Sequence, residues 1–158
     1  MPLKIRWVQK DYLSIALILL GACGLFQSAI IFIAQYLIGI GNYLIVIIIP
    51  AGATLALFYC TTIIFESYSQ VERRKKIRSQ FQKKRDTKTI KKFMMNQTVK
   101  PLLIVFSVFS LSFIISILIS YLFFTPGISF IIAENVACVA CLLVSNLIER
   151  NYAKVRKY

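Results

Sequence analysis

The sequence contains no histidine among its 158 residues. That absence excludes from this chain the sites that need an imidazole: histidine-ligated haem, copper or iron, Ser-His triads and histidine proton relays. Methionine is scarce too, and Met1, Met94 and Met95 all lie outside the long apolar runs. The sequence also shows no acid pair, no nucleophile beside a base, no glycine-rich phosphate loop and no set of metal ligands. We therefore expect no enzymatic activity and no bound cofactor.

Charge is absent from three long stretches of the chain. Residues 12–65, 101–133 and 135–148 contain no Asp, Glu, Lys or Arg. The whole chain is 58% hydrophobic with a mean hydropathy of +0.73, far more apolar than a soluble domain of this length. Because one helix needs about 20 apolar residues to cross a bilayer, these runs predict membrane spans.

Turn signals divide the uncharged runs into four spans, at about residues 12–38, 43–65, 102–124 and 128–148. The sequences GIGN (39–42) and TPG (125–127) hold the Gly, Asn and Pro residues that favour tight connections. We predict an all-α polytopic membrane protein: one domain, 1–158, with four transmembrane helices in two tight hairpins. Pro50 predicts a kink or a late helix start in the second span. The first span exceeds the ~7–15 apolar residues of a signal peptide, so we expect it to be retained.

The basic residues indicate which way the spans cross the membrane. All 19 Lys and Arg residues lie in the segments 1–11, 66–100 and 149–158, which two tight hairpins would place on one side. Cytoplasmic loops of membrane proteins carry the excess of Lys and Arg. The sequence therefore predicts that both termini are cytoplasmic, and the net charge of +13 does not require nucleic acid as a partner.

The segment between the second and third spans is strongly basic. Residues 66–100 contain 12 of the basic residues and neither Pro nor Gly, which predicts a basic cytoplasmic helical hairpin with Asp86 or Thr87 capping its second helix. The candidate contact residues are Arg73, Arg74, Lys75, Lys76, Arg78, Lys83, Lys84 and Arg85. Three alternatives stay open: a solvated hairpin that fixes topology, a surface for anionic lipid headgroups, and a docking site for an acidic partner. Nucleic acid is the weakest alternative, because residues 73–92 contain no Tyr or Trp for stacking.

One resemblance to a known family follows from this layout. A span that enters the cytoplasm, a basic helical hairpin and two further spans, together residues 43–148, resemble the layout of Oxa1-type membrane-insertion proteins, with the first span as an addition. The resemblance is one of topology. It implies that the basic hairpin serves membrane insertion or lipid binding.

Small and polar residues form one face on each of the last two spans. In the third span Ser112, Ser116 and Ser120 recur every four residues. In the fourth span the corresponding face holds Glu134, Ala137, Cys138, Cys141 and Ser145. Small faces let helices approach closely in lipid, and the short connection makes these spans neighbours, so we expect the two faces to meet. The C-x-x-C cysteines are then packing residues, since two thiols supply only half of a tetrahedral metal site.

Glu134 is the one charged residue within a predicted span. An unpaired ionised carboxylate is costly there, so Glu134 should be protonated, paired or hydrated. Its alternatives are a hydrogen bond to a serine of the third span or to a partner subunit, a proton or cation pathway, and a contact with a substrate or lipid headgroup. Asn135 points about 100° away and is expected to bond a different helix. Gln27 and Gln35, which share a face of the first span, add two further intramembrane amides.

The function expected from these features is that of a non-catalytic accessory or scaffold subunit in a larger integral-membrane complex. Respiratory, photosynthetic and membrane-monooxygenase assemblies are the candidate hosts, because small subunits join them. The expected partners are other integral-membrane subunits and anionic lipid headgroups. Two alternatives remain: a homo-oligomeric ion or proton channel or small transporter that uses Glu134, and an insertase-like or lipid-binding protein that uses the basic hairpin.

Overall fold

The computed structural model describes the backbone of residues 10–79 and 99–154 and the side chains of residues 13–69 and 99–151. These residues form four α-helices and no strand: α1 is Lys10–Tyr36, α2 is Tyr43–Ser79, α3 is Val99–Tyr121 and α4 is Pro126–Lys154. Each helix contains a run long and apolar enough to cross a membrane, namely Leu13–Tyr36, Tyr43–Ser69, Val99–Ser120 and Pro126–Asn151. The prediction of an all-α fold with four membrane-length helices is confirmed, and the chain is a multi-pass membrane protein.

Helices α2 and α4 are at the centre of the packing. The contact of α4 with α3 is the most extensive, followed by its contact with α2, and α2 also packs along α1. The outer sides of the helices expose large apolar side chains such as Leu25, Leu55 and Leu118. Lipid tails are as apolar as leucine, so burial of apolar groups does not drive these helices together. Close packing and hydrogen bonds between helices must therefore hold the bundle.

The connection between α1 and α2, residues 37–42, is shaped by a glycine and an asparagine. Gly39 has a φ of +70°, a conformation that residues with a Cβ rarely adopt. The Ile40 N–H donates to the Ala34 carbonyl oxygen at 3.3 Å and closes the end of α1. Asn42 then caps α2, because its Oδ1 accepts the N–H of Leu44 at 3.2 Å. The connection therefore contains the GIGN turn predicted from the sequence.

The connection between α3 and α4 lies slightly earlier in the chain than predicted. The Ser120 carbonyl oxygen accepts the N–H groups of Phe123 and Phe124 at 3.1 and 3.0 Å, and the helix ends there. Pro126 is the first residue of α4, a position at which its missing N–H costs no intrahelical bond. The predicted TPG turn at 125–127 is thus displaced to residues 122–125, because Pro126 and Gly127 already belong to α4.

Other predicted boundaries also differ from the observed ones. Of the two alternatives predicted at Pro50, the late start is wrong, since α2 begins at Tyr43 and passes through Pro50, and the kink stays a prediction. Helix α3 begins at Val99 rather than after Pro101, because a proline in the first turn breaks no intrahelical hydrogen bond. Helix α2 continues beyond its apolar run to Ser79. The predicted basic hairpin depends on residues 80–98, which lie outside the described residues, so it stays a prediction.

Replacement of Gly39 by alanine tests the first connection. We expect Gly39→Ala to lower the free energy of unfolding by about 1–2 kcal/mol, the cost of the left-handed backbone for a residue with a Cβ. No atom lies within 4 Å of the added methyl group, so backbone strain alone produces the loss. Thermal unfolding in detergent micelles measures it. Gly41→Ala is the matched control, because Gly41 has equally open surroundings and its φ lies outside the left-handed region. Equal melting temperatures for the two variants would contradict the role given to Gly39.

Candidate functional site

Buried polar side chains share one face of α4 and one face of α2. We call this set the polar seam, and its members are Glu134, Cys138, Cys141 and Ser145 on α4 and Cys60 and Ser67 on α2. All are buried except Cys138, which is half-buried. The α4 members are separated by one turn each and the α2 members by two turns, which is why each set falls on one side of its helix.

The two faces of the polar seam meet around Cys60. Its thiol lies beside the Ser145 hydroxyl, and the thiols of Cys138 and Cys141 are its neighbours. The Cys141 sulfur also donates to the Val105 carbonyl oxygen of α3 at 3.6 Å, a contact between two helices. The structure thus brings an α2 cysteine to the C-x-x-C pair of α4, although nothing in the local sequence pairs them.

Helix α1 adds a further thiol next to the seam. The Cys23 sulfur lies 4.0 Å from the hydroxyl oxygen of Thr61, and Cys60 is also its neighbour. All four cysteines are free thiols. No group of three or more Cys, Asp or Glu side chains among the described residues is placed to hold a metal ion.

Hydroxyl groups within the spans bond to their own helices. Thr62, Ser67 and Ser145 each donate to a carbonyl oxygen three or four residues earlier, at 2.8 to 2.9 Å. This is the usual way in which a membrane helix accommodates Ser and Thr. Each hydroxyl oxygen keeps acceptor capacity after its hydrogen is committed. The seam can therefore accept hydrogen bonds from a guest molecule.

Glu134 lies in the seam without a hydrogen-bond partner. Only 1% of its surface is exposed, and neither carboxyl oxygen is bonded to any residue that the structure describes. It stands about 12 Å along α4 from the first residue of the helix, at ~1.5 Å per residue, well inside the span. The hydrogen bond to a serine of the third span, one alternative from the sequence, is therefore not formed.

The three serines of the third span lie only partly in the interior. Ser120 is buried next to the connection with α4, whereas Ser112 and Ser116 are half-buried. Most of the buried face of α3 consists of larger side chains at a spacing of four residues: Pro101, Val105, Phe109 and Phe113. Two contacts between α3 and α4 involve these larger residues: Phe113 meets Phe130, and the Val105 carbonyl oxygen accepts the Cys141 thiol. The expected contact between the serine face and α4 stays a prediction.

Gln27 of α1 is a second buried side chain without a partner. It is 2% exposed, and neither its amide oxygen nor its amide nitrogen bonds to a described residue. Gln27 follows Cys23 by one turn, and Glu134 precedes Cys138 by one turn. Successive spans cross the membrane in alternating directions, so both residues lie on the same side of the thiols. The sequence placed Gln27 on one face of the first span with Gln35, which is half-buried in the structure.

The interior next to α3 is aromatic. Phe26 of α1 meets Phe109 edge-on with centroids 5.5 Å apart, and Phe109 stacks on Phe113 at 6.0 Å. Phe113 in turn meets Phe130 of α4 edge-on at 6.1 Å. We call these four rings the aromatic row. Edge-on and offset contacts of this kind stabilise beyond simple packing, so the row ties three helices together and ends one turn from Glu134.

Asn135 points out of the bundle. Its side chain is exposed, and its Nδ2 donates to the Ile131 carbonyl oxygen of its own helix at 2.8 Å. The bond to a different helix of this chain, expected from the sequence, is therefore absent from the described residues. An Asn amide has two N–H donors and an oxygen acceptor, so one bond leaves capacity unused.

A second exposed amide lies on the same side of α4. Asn146 follows Asn135 by three turns, and both are exposed. We call this side the outer amide face, formed by Asn135, Val139, Leu142 and Asn146. The eleven-residue spacing of the two asparagines is visible in the sequence, but their exposure is not.

The predicted basic contact residues are only partly described. Arg73, Arg74, Lys75, Lys76 and Arg78 lie on the helical backbone of α2, and their side chains fall outside the described part of the chain. Lys83, Lys84 and Arg85 lie outside the described residues altogether. Their contact role stays a prediction.

No protein-family model, no curated protein and no solved structure matches the chain.

Removal of one ring from the aromatic row tests this interior. Phe113 is 5% exposed, and Phe113→Ala removes contacts with two other rings and leaves a cavity. We expect it to lower the free energy of unfolding by about 3–5 kcal/mol, measured by unfolding in mixed micelles. Leu118→Ala on the same helix is the matched control, since Leu118 is 65% exposed to the lipid side, and its effect should stay within about 0.5 kcal/mol. A comparable loss in both variants would show that α3 packs through a different face.

Proposed function

We propose that the chain is a non-catalytic accessory or scaffold subunit of a larger integral-membrane complex, with both termini in the cytoplasm. The observation that supports this most strongly is the outer amide face. Asn135 stands about 14 Å along α4 from the start of its span, at ~1.5 Å per residue, with its amide facing outward. Hydrocarbon offers no hydrogen-bond partner at that depth, whereas a helix of another subunit does.

The composition of the outer amide face indicates what kind of partner fits it. Two amides lie three turns apart, with the apolar Val139 and Leu142 between them. An interhelical hydrogen bond in a membrane contributes only about 0.6–2 kcal/mol, so the apolar residues must add close packing. A transmembrane helix with a hydroxyl or amide side chain opposite Asn135 meets both needs.

Exposed polar residues elsewhere do not require a partner in the same way. Ser28 of α1 is exposed, but its hydroxyl donates to the Leu25 carbonyl oxygen at 2.7 Å. A small hydroxyl bonded to its own helix has no donor left to satisfy. Asn135 differs because its amide is larger and keeps unused donor and acceptor capacity. The contrast favours α4, rather than α1, as the helix that faces the complex.

The basic segment supports the orientation and a second contact. Helix α2 continues to Ser79, past the end of its apolar run, and the backbone there carries Arg73 to Lys76. Basic residues near an anionic leaflet contribute about 1 kcal/mol each. The segment 66–100, with 12 basic residues, would therefore hold the chain against anionic headgroups on the cytoplasmic side.

Purification from native membranes tests the subunit proposal. Extraction of the tagged chain in mild detergent should recover other membrane proteins in fixed proportion. The double variant Asn135→Leu with Asn146→Leu should reduce that recovery by about 5–30-fold, as expected from the loss of one or two kcal/mol. Ser28→Ala, which alters an exposed polar group on α1, should leave recovery unchanged. A chain that runs alone in every mild detergent, as a monomer or homo-oligomer, would contradict the proposal.

Reporter fusions test the orientation. A fluorescent protein that folds only in the cytoplasm should be bright when fused after Tyr158. The same protein inserted between Gly39 and Gly41, in the connection of α1 and α2, should stay dark, because that connection lies across the membrane. The reverse pattern, or brightness at both positions, would refute the cytoplasmic placement of the termini.

A further inference from the structure

We propose that Gln27 and Glu134 bind water inside the bundle, and that Glu134 exchanges protons with the cytoplasmic side along the polar seam. This inference goes beyond the subunit role and holds whether or not the chain has partners; its naming of the cytoplasmic side rests on the proposed orientation of the termini. It rests on two buried, unpartnered side chains at one depth in the bundle. It also rests on the interior along the helix axes, which is polar on one side of them and apolar on the other.

Four buried polar side-chain atoms lack a hydrogen-bond partner within the described residues. Both carboxyl oxygens of Glu134 and both amide atoms of Gln27 are buried and unbonded within the described residues. A buried polar group left without a hydrogen bond costs about 1–3 kcal/mol, and a charged one costs more. Folded proteins usually satisfy such groups with internal water, which makes about three hydrogen bonds per molecule. Water in the bundle interior at this depth would serve both side chains.

No counter-charge lies beside Glu134 among the described residues. Among the described residues, the titratable side chain that neighbours Glu134 is the Cys138 thiol of its own helix. Cys60 of α2 neighbours Cys138, and Cys23 of α1 neighbours Cys60. The buried face of α3 offers aliphatic and aromatic groups, with no titratable side chain among its buried residues. Without a cation beside it in the described part of the chain, Glu134 is either a neutral acid or a hydrated carboxylate. Conversion between these two states requires a route by which a proton reaches or leaves Glu134.

The polar seam supplies that path on one side. From Glu134 toward the C-terminal ends of α2 and α4, the α4 side of the seam continues through Cys138, Cys141 and Ser145. The α2 side of the seam holds Cys60 and Ser67. Ser67 lies two residues from the end of the apolar run of α2, close to the membrane surface. The hydroxyl oxygens of the seam can accept hydrogen bonds from water along this route.

The other side of Glu134 is closed by apolar groups. Phe130 lies one turn away, in edge-on contact with Phe113, and Ile30 of α1 is buried beyond Gln27. The buried hydroxyl of Ser129, near Phe130, is committed to the Phe124 carbonyl oxygen at 3.4 Å. A single chain therefore stores and exchanges a proton rather than conducting one, which separates this site from a channel.

The exchange step is a simple proton transfer. A hydronium ion in the seam gives its proton to a carboxylate oxygen of Glu134, so that one O–H bond forms, another breaks and a water molecule remains. Release is the reverse. The Gln27 amide donates to the water or accepts from it in both states, and thereby positions the water beside the carboxyl group. Gln27 is a positioning residue, and Glu134 is the group that carries the proton.

Infrared spectroscopy of the full-length chain in lipid nanodiscs tests the site. A carboxylic-acid C=O band should be present in the native protein, disappear in Glu134→Gln, and shift within minutes of transfer to D₂O. Gln27→Leu should move the position of this band, whereas Gln35→Leu, which alters the half-buried amide of the same helix, should not. Circular dichroism should show unchanged helix content in all three variants.

Several results would overturn the inference. One is a carboxylic-acid band that stays unshifted in D₂O for hours. Another is the lack of any Glu134-dependent band at every pH at which the chain is folded. A third is a band whose position does not change in Gln27→Leu. In liposomes with a pH-sensitive dye inside, the chain should show no proton flux above empty vesicles. Proton flux that disappears in Glu134→Gln would show that the apolar groups beyond Glu134 do not block protons, and it would favour the channel alternative. Loss of partner proteins on purification would leave these readouts unchanged, so the two proposals fail separately.

Discussion

Hydrocarbon cannot form hydrogen bonds, and this constraint decides the arrangement of every polar group in the four spans. Most of them obey it within their own helix: Thr62, Ser67 and Ser145 donate to nearby carbonyl oxygens, and Asn42 caps α2. The exceptions are few and lie at defined places. Inside the bundle the carboxyl group of Glu134 and the amide of Gln27 are unpartnered among the described residues, and on its surface the Asn135 amide is only partly bonded.

These exceptions divide the functional surface of α4 into two sides. The inner side faces α2, and we propose that it holds a hydrated acid; the outer side is exposed, and we propose that its amides meet a helix of another subunit. Neighbouring positions on one helix, Glu134 and Asn135, carry the two roles because their side chains point about 100° apart. A subunit that docks through the outer side would leave the inner site open toward the cytoplasm, so the two proposals are compatible in one chain.

Uncharged runs were sufficient to predict four membrane helices, because a bilayer requires a minimum apolar length whatever the tertiary packing. The connection at Gly39 was also predictable, since a left-handed backbone favours glycine. The serine spacing was a less complete guide to α3: it shows which residues share a side, but not that bulky side chains such as Phe109 also occupy the interior. The common depth of Gln27 and Glu134 had no sequence signal, because it depends on how α2 and α3 pack between α1 and α4.

The central claim is that Glu134 and Asn135 are satisfied by groups from outside this chain. The most direct measurement is a high-resolution electron cryo-microscopy map of the protein extracted from its native membrane in mild detergent. The account predicts density of another transmembrane helix within hydrogen-bond distance of the Asn135 amide, and ordered water between Gln27 and Glu134. An Asn135 side chain surrounded only by lipid, together with a direct bond from Gln27 to Glu134, would contradict it.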